Sequence, residues 1–110
     1  MDIRQERIGR NEVLFREINE RLKEMQETFD VLTEQAEFVC ECGNADCTQQ
    51  VTMSLAEYER LRSDPQTFAV VAGHEASDVE DIVETRERYL VVRKQKGESS
   101  ILAQASDPRA

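Results

Sequence analysis

Between residues 8 and 32 the apolar positions recur every three or four residues. Taking Ile8 as the first position of a heptad places Ile8, Phe15, Leu22 and Phe29 at a, and Asn11, Ile18, Met25 and Leu32 at d. The residues between them are mostly charged, as in Arg16-Glu17, Glu20-Arg21 and Lys23-Glu24. This periodicity predicts one long amphipathic helix with a sticky seam. Such a seam needs a partner, either the rest of the chain or a second copy of the helix. Asn11 is the kind of buried polar residue that can set register or oligomer state. Val13 and Leu14 widen the apolar face near its start, which leans toward packing on something broader than one helix.

After a polar connection over 33–37 the pattern shortens. Phe38 to Glu41 reads as a short strand, Gly43-Asn44-Ala45-Asp46 as its turn, and Gln49 to Met53 as a returning strand with Val51 and Met53 on one face. Ser54-Leu55-Ala56-Glu57 is a capping box that opens a helix to about Arg62, with Leu55, Tyr58 and Leu61 inward. Ser63-Asp64-Pro65 ends it. Phe68-Ala69-Val70-Val71-Ala72 is the best buried strand and runs into Gly73-His74-Glu75. Ser77-Asp78-Val79-Glu80 reads as a second capping box, predicting a helix to about Glu87 with Val79, Ile82 and Val83 inward. Tyr89 to Val92 is the last strand, and residues 95–110 carry no period and read as a disordered tail. The predicted architecture is α+β: a long amphipathic helix over 1–34, a small metal-stapled β-β-α-β-α-β domain over 35–94, and the tail.

The chemistry is concentrated in Phe38-Val39-Cys40-Glu41-Cys42-Gly43-Asn44-Ala45-Asp46-Cys47, which holds all three cysteines. In a strand, residues two apart share a face, so Cys40 and Cys42 point the same way. The Gly-Asn turn then lets Cys47 approach them. A fourth ligand closes a tetrahedral shell, and His74 is the candidate because it sits at the end of a buried strand, level with the cysteines. Asp46 or Glu41 could take its place. Thiolate with imidazole suits zinc or iron and not the hard cations. The expected cofactor is Zn2+, in a Cys3His site of Cys40, Cys42, Cys47 and His74.

Composition narrows the function classes. The chain has 110 residues with 39% hydrophobic and 5% aromatic content and no Trp, a modest core of the size that often gains from a metal or a second subunit. Fourteen basic against 23 acidic residues give a net charge of -9, which disfavours nucleic acid and suits a basic protein partner. The basic cluster Arg86, Arg88, Arg93, Lys94 and Lys96 reads as a solvated strand face. An odd number of clustered cysteines argues against a secreted disulfide framework, and no stretch approaches the length of a membrane span, so a cytoplasmic protein is expected.

Two resemblances follow from these residues. The C-x-C-x4-C spacing of Cys40, Cys42 and Cys47 resembles the post-SET zinc segment of histone lysine methyltransferases; this implies that the spacing can bind zinc and implies no methyltransferase activity. Over roughly residues 10 to 94, the Arg10-to-Arg21 helix, Phe38-Val39-Cys40-Glu41-Cys42-Gly43, Glu57-Tyr58 and Gly73-His74-Glu75 together resemble a group of small uncharacterised bacterial proteins. That likeness implies one structural unit and no activity.

The sequence therefore points to a zinc-binding regulatory module that meets a protein partner, or its own copy, through Ile8, Phe15, Ile18, Leu22, Met25 and Phe29. The alternative is a thiol-based redox or metal sensor that releases zinc on oxidation. A zinc hydrolase with Glu75 or Glu41 as base is disfavoured, because four ligands leave no open position for water. Neither the zinc-deaminase signature nor a phosphate-binding loop is present, so no small-molecule substrate is expected.

Overall fold

The computed structural model describes residues 3–28 and 35–109. Its elements are α1 (Ile3–Thr28), β1 (Ala36–Val39), β2 (Gln50–Met53), α2 (Leu55–Arg62), β3 (Thr67–Val70), β4 (Glu80–Thr85), β5 (Leu90–Lys94) and α3 (Glu98–Ala105). The α+β class read from the sequence is the one that forms: a long N-terminal helix and two small sheets. Among the described residues no helix is long and apolar enough to cross a membrane.

Strands β1 and β2 pair antiparallel, with Phe38 opposite Val51 and Ala36 opposite Met53. The two-residue alternation puts these four side chains on one buried face. Helix α2 starts as its sequence predicts. The Ser54 hydroxyl accepts from the Glu57 N–H and the Glu57 carboxylate accepts from the Ser54 N–H, both at 3.0 Å. Tyr58 then stacks on Phe38 with 4.4 Å between ring centroids, which ties α2 to the hairpin. In the second sheet β5 lies between β3 and β4, antiparallel to both. A backbone bond of 2.8 Å from the Glu41 N–H to the Ala69 carbonyl joins the segment after β1 to β3.

Two expected features are corrected by this arrangement. The helix expected over 77–87 is instead strand β4, so the order after α2 is β-β-β. The Glu80 carboxylate does reach back, but to the Ala76 N–H at 2.9 Å, closing a turn ahead of the strand. Ile82, Val83 and Thr85 favour strand by their branched side chains, and β5 offers them a ladder. Ile82 and Val83, expected inward, are exposed on an edge strand that carries a register shift between Ile82 and Glu84. The second correction concerns 95–110, expected to be disordered. Within it Glu98–Ala105 forms α3, which packs along α1 and buries Ala103.

The packing face of α1 also differs from the heptad seam. Ile8 and Phe15 are buried and Leu22 packs on the core, but Ile18 and Met25 are 36% and 54% exposed. Phe29 and Leu32 lie outside the described residues. The buried stripe instead adds Glu12, Arg16 and Asn19 to Ile8 and Phe15. Ile8, Phe15 and Leu22 are thus occupied within the chain and do not form a free partner-binding seam. Two of these buried polar groups bond to backbone. Asn19 brackets Val39, donating to its carbonyl at 2.9 Å and accepting from its N–H at 2.8 Å, so a side-chain amide extends the ladder of β1. Arg16 donates to the carbonyls of Pro65, Ala103 and Ser106 at 2.8, 3.0 and 2.8 Å, which holds the C-terminal end of α3 against α1.

Candidate metal centre

The loop between β1 and β2 carries the three cysteines. Cys40 still follows the hairpin, its N–H bonded to the Gln49 carbonyl at 3.0 Å. The chain then reverses at Asn44, whose side-chain oxygen accepts from the Asp46 N–H at 3.0 Å while its carbonyl accepts from the Cys47 N–H at 3.0 Å. That reversal returns Cys47 toward Cys40 and Cys42. The fourth group comes from the turn after β3, where Gly73 adopts φ 94° and the His74 N–H bonds to the Val71 carbonyl at 2.9 Å. A left-handed φ suits glycine, so Gly73 is what lets the chain turn tightly enough to present His74.

The ligand atoms of Cys40, Cys42, Cys47 and His74 all lie within 4.8 Å of one another. His74 Nδ1 is 3.5 Å from Cys47 Sγ and 3.7 Å from Cys40 Sγ. Cys40 and Cys42 are buried, while Cys47 and His74 are half-buried, so the cluster has a closed side and a side nearer solvent. The Val71 N–H donates to Cys40 Sγ at 3.2 Å, a bond that favours the thiolate. The four groups expected from the sequence to converge do so, and the set can hold a metal ion.

Electrostatics within the cluster shows what a cation changes. A hydrogen bond from the Cys40 thiol, the largest influence, holds Cys42 far below the usual thiol range, to about 5. The same bond and burial push the Cys40 thiol up, and burial pushes Cys47 up. Three neighbouring sulfurs cannot all be anionic without a positive charge among them. A bound metal ion supplies that charge and converts the set to thiolates.

Glu41, considered from sequence as a substitute ligand or base, has a different role. It stands between Cys40 and Cys42, so strand alternation turns it to the opposite face. There it is completely buried and accepts two bonds from the Arg62 guanidinium, at 2.6 and 2.8 Å, one from Asn19 at 2.7 Å and one from the Ala69 N–H at 3.1 Å. Asp46 is exposed and lies outside the converging set.

Two residues that hold the loop were not legible as site residues. Asn11, read as a register residue, donates to the Gly43 carbonyl at 2.7 Å. Ile8 lies directly over Gly43, where a Cβ would come within 2.6 Å of Ile8 Cγ2. Helix α1 therefore clamps the cysteine loop, and only glycine leaves room for it. Beside the loop a groove of about 660 Å³ runs between Arg7 and Asn11 on one side and Asp46, His74 and Glu75 on the other. Comparison with protein-family models, with curated proteins and with solved structures gives no match, so the reading of this centre rests on its own geometry.

Proposed function

We propose that the chain is a small regulatory protein-interaction module whose fold is stapled by one structural zinc ion held by Cys40, Cys42, Cys47 and His74. The observation that carries this reading is the spacing of the ligand atoms. Zinc bonds of about 2.3 Å to sulfur and about 2.0 Å to nitrogen, at tetrahedral angles, give an S–N edge of about 3.6 Å. The two sulfur–nitrogen distances, 3.5 and 3.7 Å, fall on either side of it. The post-SET-like cysteine spacing supports the same metal. A structural role fits because four protein ligands fill the shell, and because the nearby carboxylate of Glu41 is committed to Arg62.

The experiment is native mass spectrometry of the full chain with and without a chelator, alongside circular dichroism. One zinc per chain, lost together with folded structure on chelation or in Cys42→Ser, is the expected result. A metal-free chain that is fully folded would overturn the reading.

For the interaction role we assign the outer stripe of α1. At 100° per residue, Ile3, Leu14, Ile18 and Met25 share this stripe with Arg7, Arg10 and Arg21. The four apolar members are all exposed. Although the net charge of -9 suits a basic partner, this local apolar stripe set with arginines is complementary to a protein segment bearing acidic and apolar residues at helical spacing. A synthetic amphipathic Leu/Glu peptide is expected to bind the zinc-loaded chain, with at least tenfold weaker binding to Leu14→Glu/Arg21→Glu. Equal binding by that variant, or self-association in sedimentation that the peptide does not reverse, would overturn this assignment.

The half-buried Cys47 favours a second reading, a redox sensor, since its sulfur is the one nearest solvent. Release of zinc by sub-millimolar peroxide, reversed by reductant, is its expected signature. Retention of zinc under that treatment would remove it.

A further inference from the structure

Away from the metal loop, three ionisable side chains meet under α1. Glu12 comes from α1, Glu80 from β4 and Lys94 from β5, and all are buried. Lys94 Nζ lies 2.7 Å from Glu12 Oε1 and 3.8 Å from Glu80 Oε2. Glu80 Oε1 accepts from the Ala76 N–H. That leaves Glu12 Oε2 and Glu80 Oε2 buried without a hydrogen-bond donor among the described residues. Two carboxylates against one ammonium also leave one negative charge uncompensated. Arg16, one turn along α1, does not supply the missing cation, because its guanidinium is turned to the carbonyls of Pro65, Ala103 and Ser106. Both anomalies, the uncompensated charge and the missing donor, have one remedy: a single proton.

We propose that Glu12 keeps its proton at neutral pH and donates it toward the Glu80 carboxyl group, and that this contact, closed by Lys94, is a pH-sensitive latch between α1 and the β3-β5-β4 sheet. The proton provides the O–H donor that the two carboxyl groups lack and brings the cluster to one positive and one negative charge. Aspartic-protease dyads show the same logic, two carboxyls too close to ionise together. Burial, the largest influence, pushes the Glu12 carboxyl up to about 8, with Lys94 opposing and Glu80 reinforcing the rise. Lys94 and Glu80 are the charged groups facing Glu12 from the packed strands.

The direction of the pH effect follows. In the unfolded chain a glutamate releases its proton near 4.5, whereas Glu12 in the folded chain holds it to about 8. The latch's contribution to stability is therefore complete below about 4.5, declines between the two values, and is exhausted above about 8. Across the middle of this window, one retained proton lowers the folding equilibrium constant about tenfold per pH unit. Glu12→Gln replaces the proton with a permanent amide donor, and Glu80→Gln removes the carboxyl group that reinforces the rise of Glu12, so their stabilities lack this slope.

The test is denaturant unfolding of the metal-saturated full chain and both variants from pH 6 to pH 8. Relative to wild type, each glutamine variant is expected to gain about tenfold in folding constant between pH 6 and pH 7. Parallel pH profiles for wild type and both variants would overturn the latch. Carboxyl carbon NMR of the isotopically labelled wild-type chain gives a second reading that does not depend on the variants folding. One glutamate signal is expected to titrate near pH 8, and titration of every glutamate below pH 6 would sink the proposal.

Discussion

At the scale of single residues, the cysteine loop depends on two residues that carry no metal-binding chemistry. Gly43 is required by proximity, since a methyl group there would overlap Ile8 Cγ2. Gly43→Ala is therefore expected to destabilise the fold by about 1–3 kcal/mol, as overpacking does, and to weaken metal affinity by displacing α1 from the loop. A competitive zinc-chelator titration beside a denaturant melt measures both. Arg62 is the second. It neutralises Glu41 and lies over the Tyr58 and Phe68 rings, 5.2 and 5.8 Å from their centroids. Arg62→Met strands a buried carboxylate, and the expected loss is about 3–5 kcal/mol. The double variant Arg62→Met/Glu41→Leu should recover much of that loss in the same urea melts, because removing both charges removes the penalty.

At the scale of elements, the helix with a local cap formed where it was read, whereas two segments took the structure that distant partners impose. The capping box at Ser54 and Glu57 is a local device, and α2 starts there in the structure. The similar Ser77-x-x-Glu80 spacing failed as a helix start because Glu80 is drawn into the cluster with Lys94 and Glu12, contacts far away in sequence. Helix α3 has eight residues, below the length at which an isolated helix is stable in water. What holds it is α1, and above all Arg16 on its terminal carbonyls. Arg16→Met is expected to cost about 3 kcal/mol, since buried carbonyls lose a charged donor. It should also expose the segment after Gly97 to limited proteolysis while the β1–β2 hairpin stays protected in hydrogen exchange.

At the scale of the whole molecule, α1 joins otherwise separate parts. It holds the metal loop through Ile8 and Asn11, the sheet through Glu12, the end of α3 through Arg16, and β1 through Asn19. Metal binding and the docking of α1 should therefore be coupled. Thermal melts in zinc buffers are expected to show one cooperative transition that rises with free zinc, by about 1.4 kcal/mol for each tenfold excess over the dissociation constant. Asn11→Ala should lower metal affinity without touching a ligand. A melt in which α1 and the hairpin unfold at separate temperatures, insensitive to zinc, would contradict this coupling.

The sequence by itself determined the α+β class, the long helix, the hairpin, α2 and the approach of Cys40, Cys42 and Cys47 to one another; His74 joins them from the turn after β3. Each of those rests on short-range information: period, caps, turn residues, and a cysteine spacing that closes on itself within one loop. Only the tertiary structure decided which side of α1 is covered, that 80–85 is a strand, and that 98–105 is a helix. The physical reason is common to all three. Glu12, Arg16, Asn19, Glu41, Arg62, Glu80 and Lys94 are charged or polar, so hydropathy assigns them to solvent, yet each is buried. Such burial is tolerable when hydrogen bonds and opposite charges from distant parts of the chain come to meet it, and those partners exist only once the chain has folded.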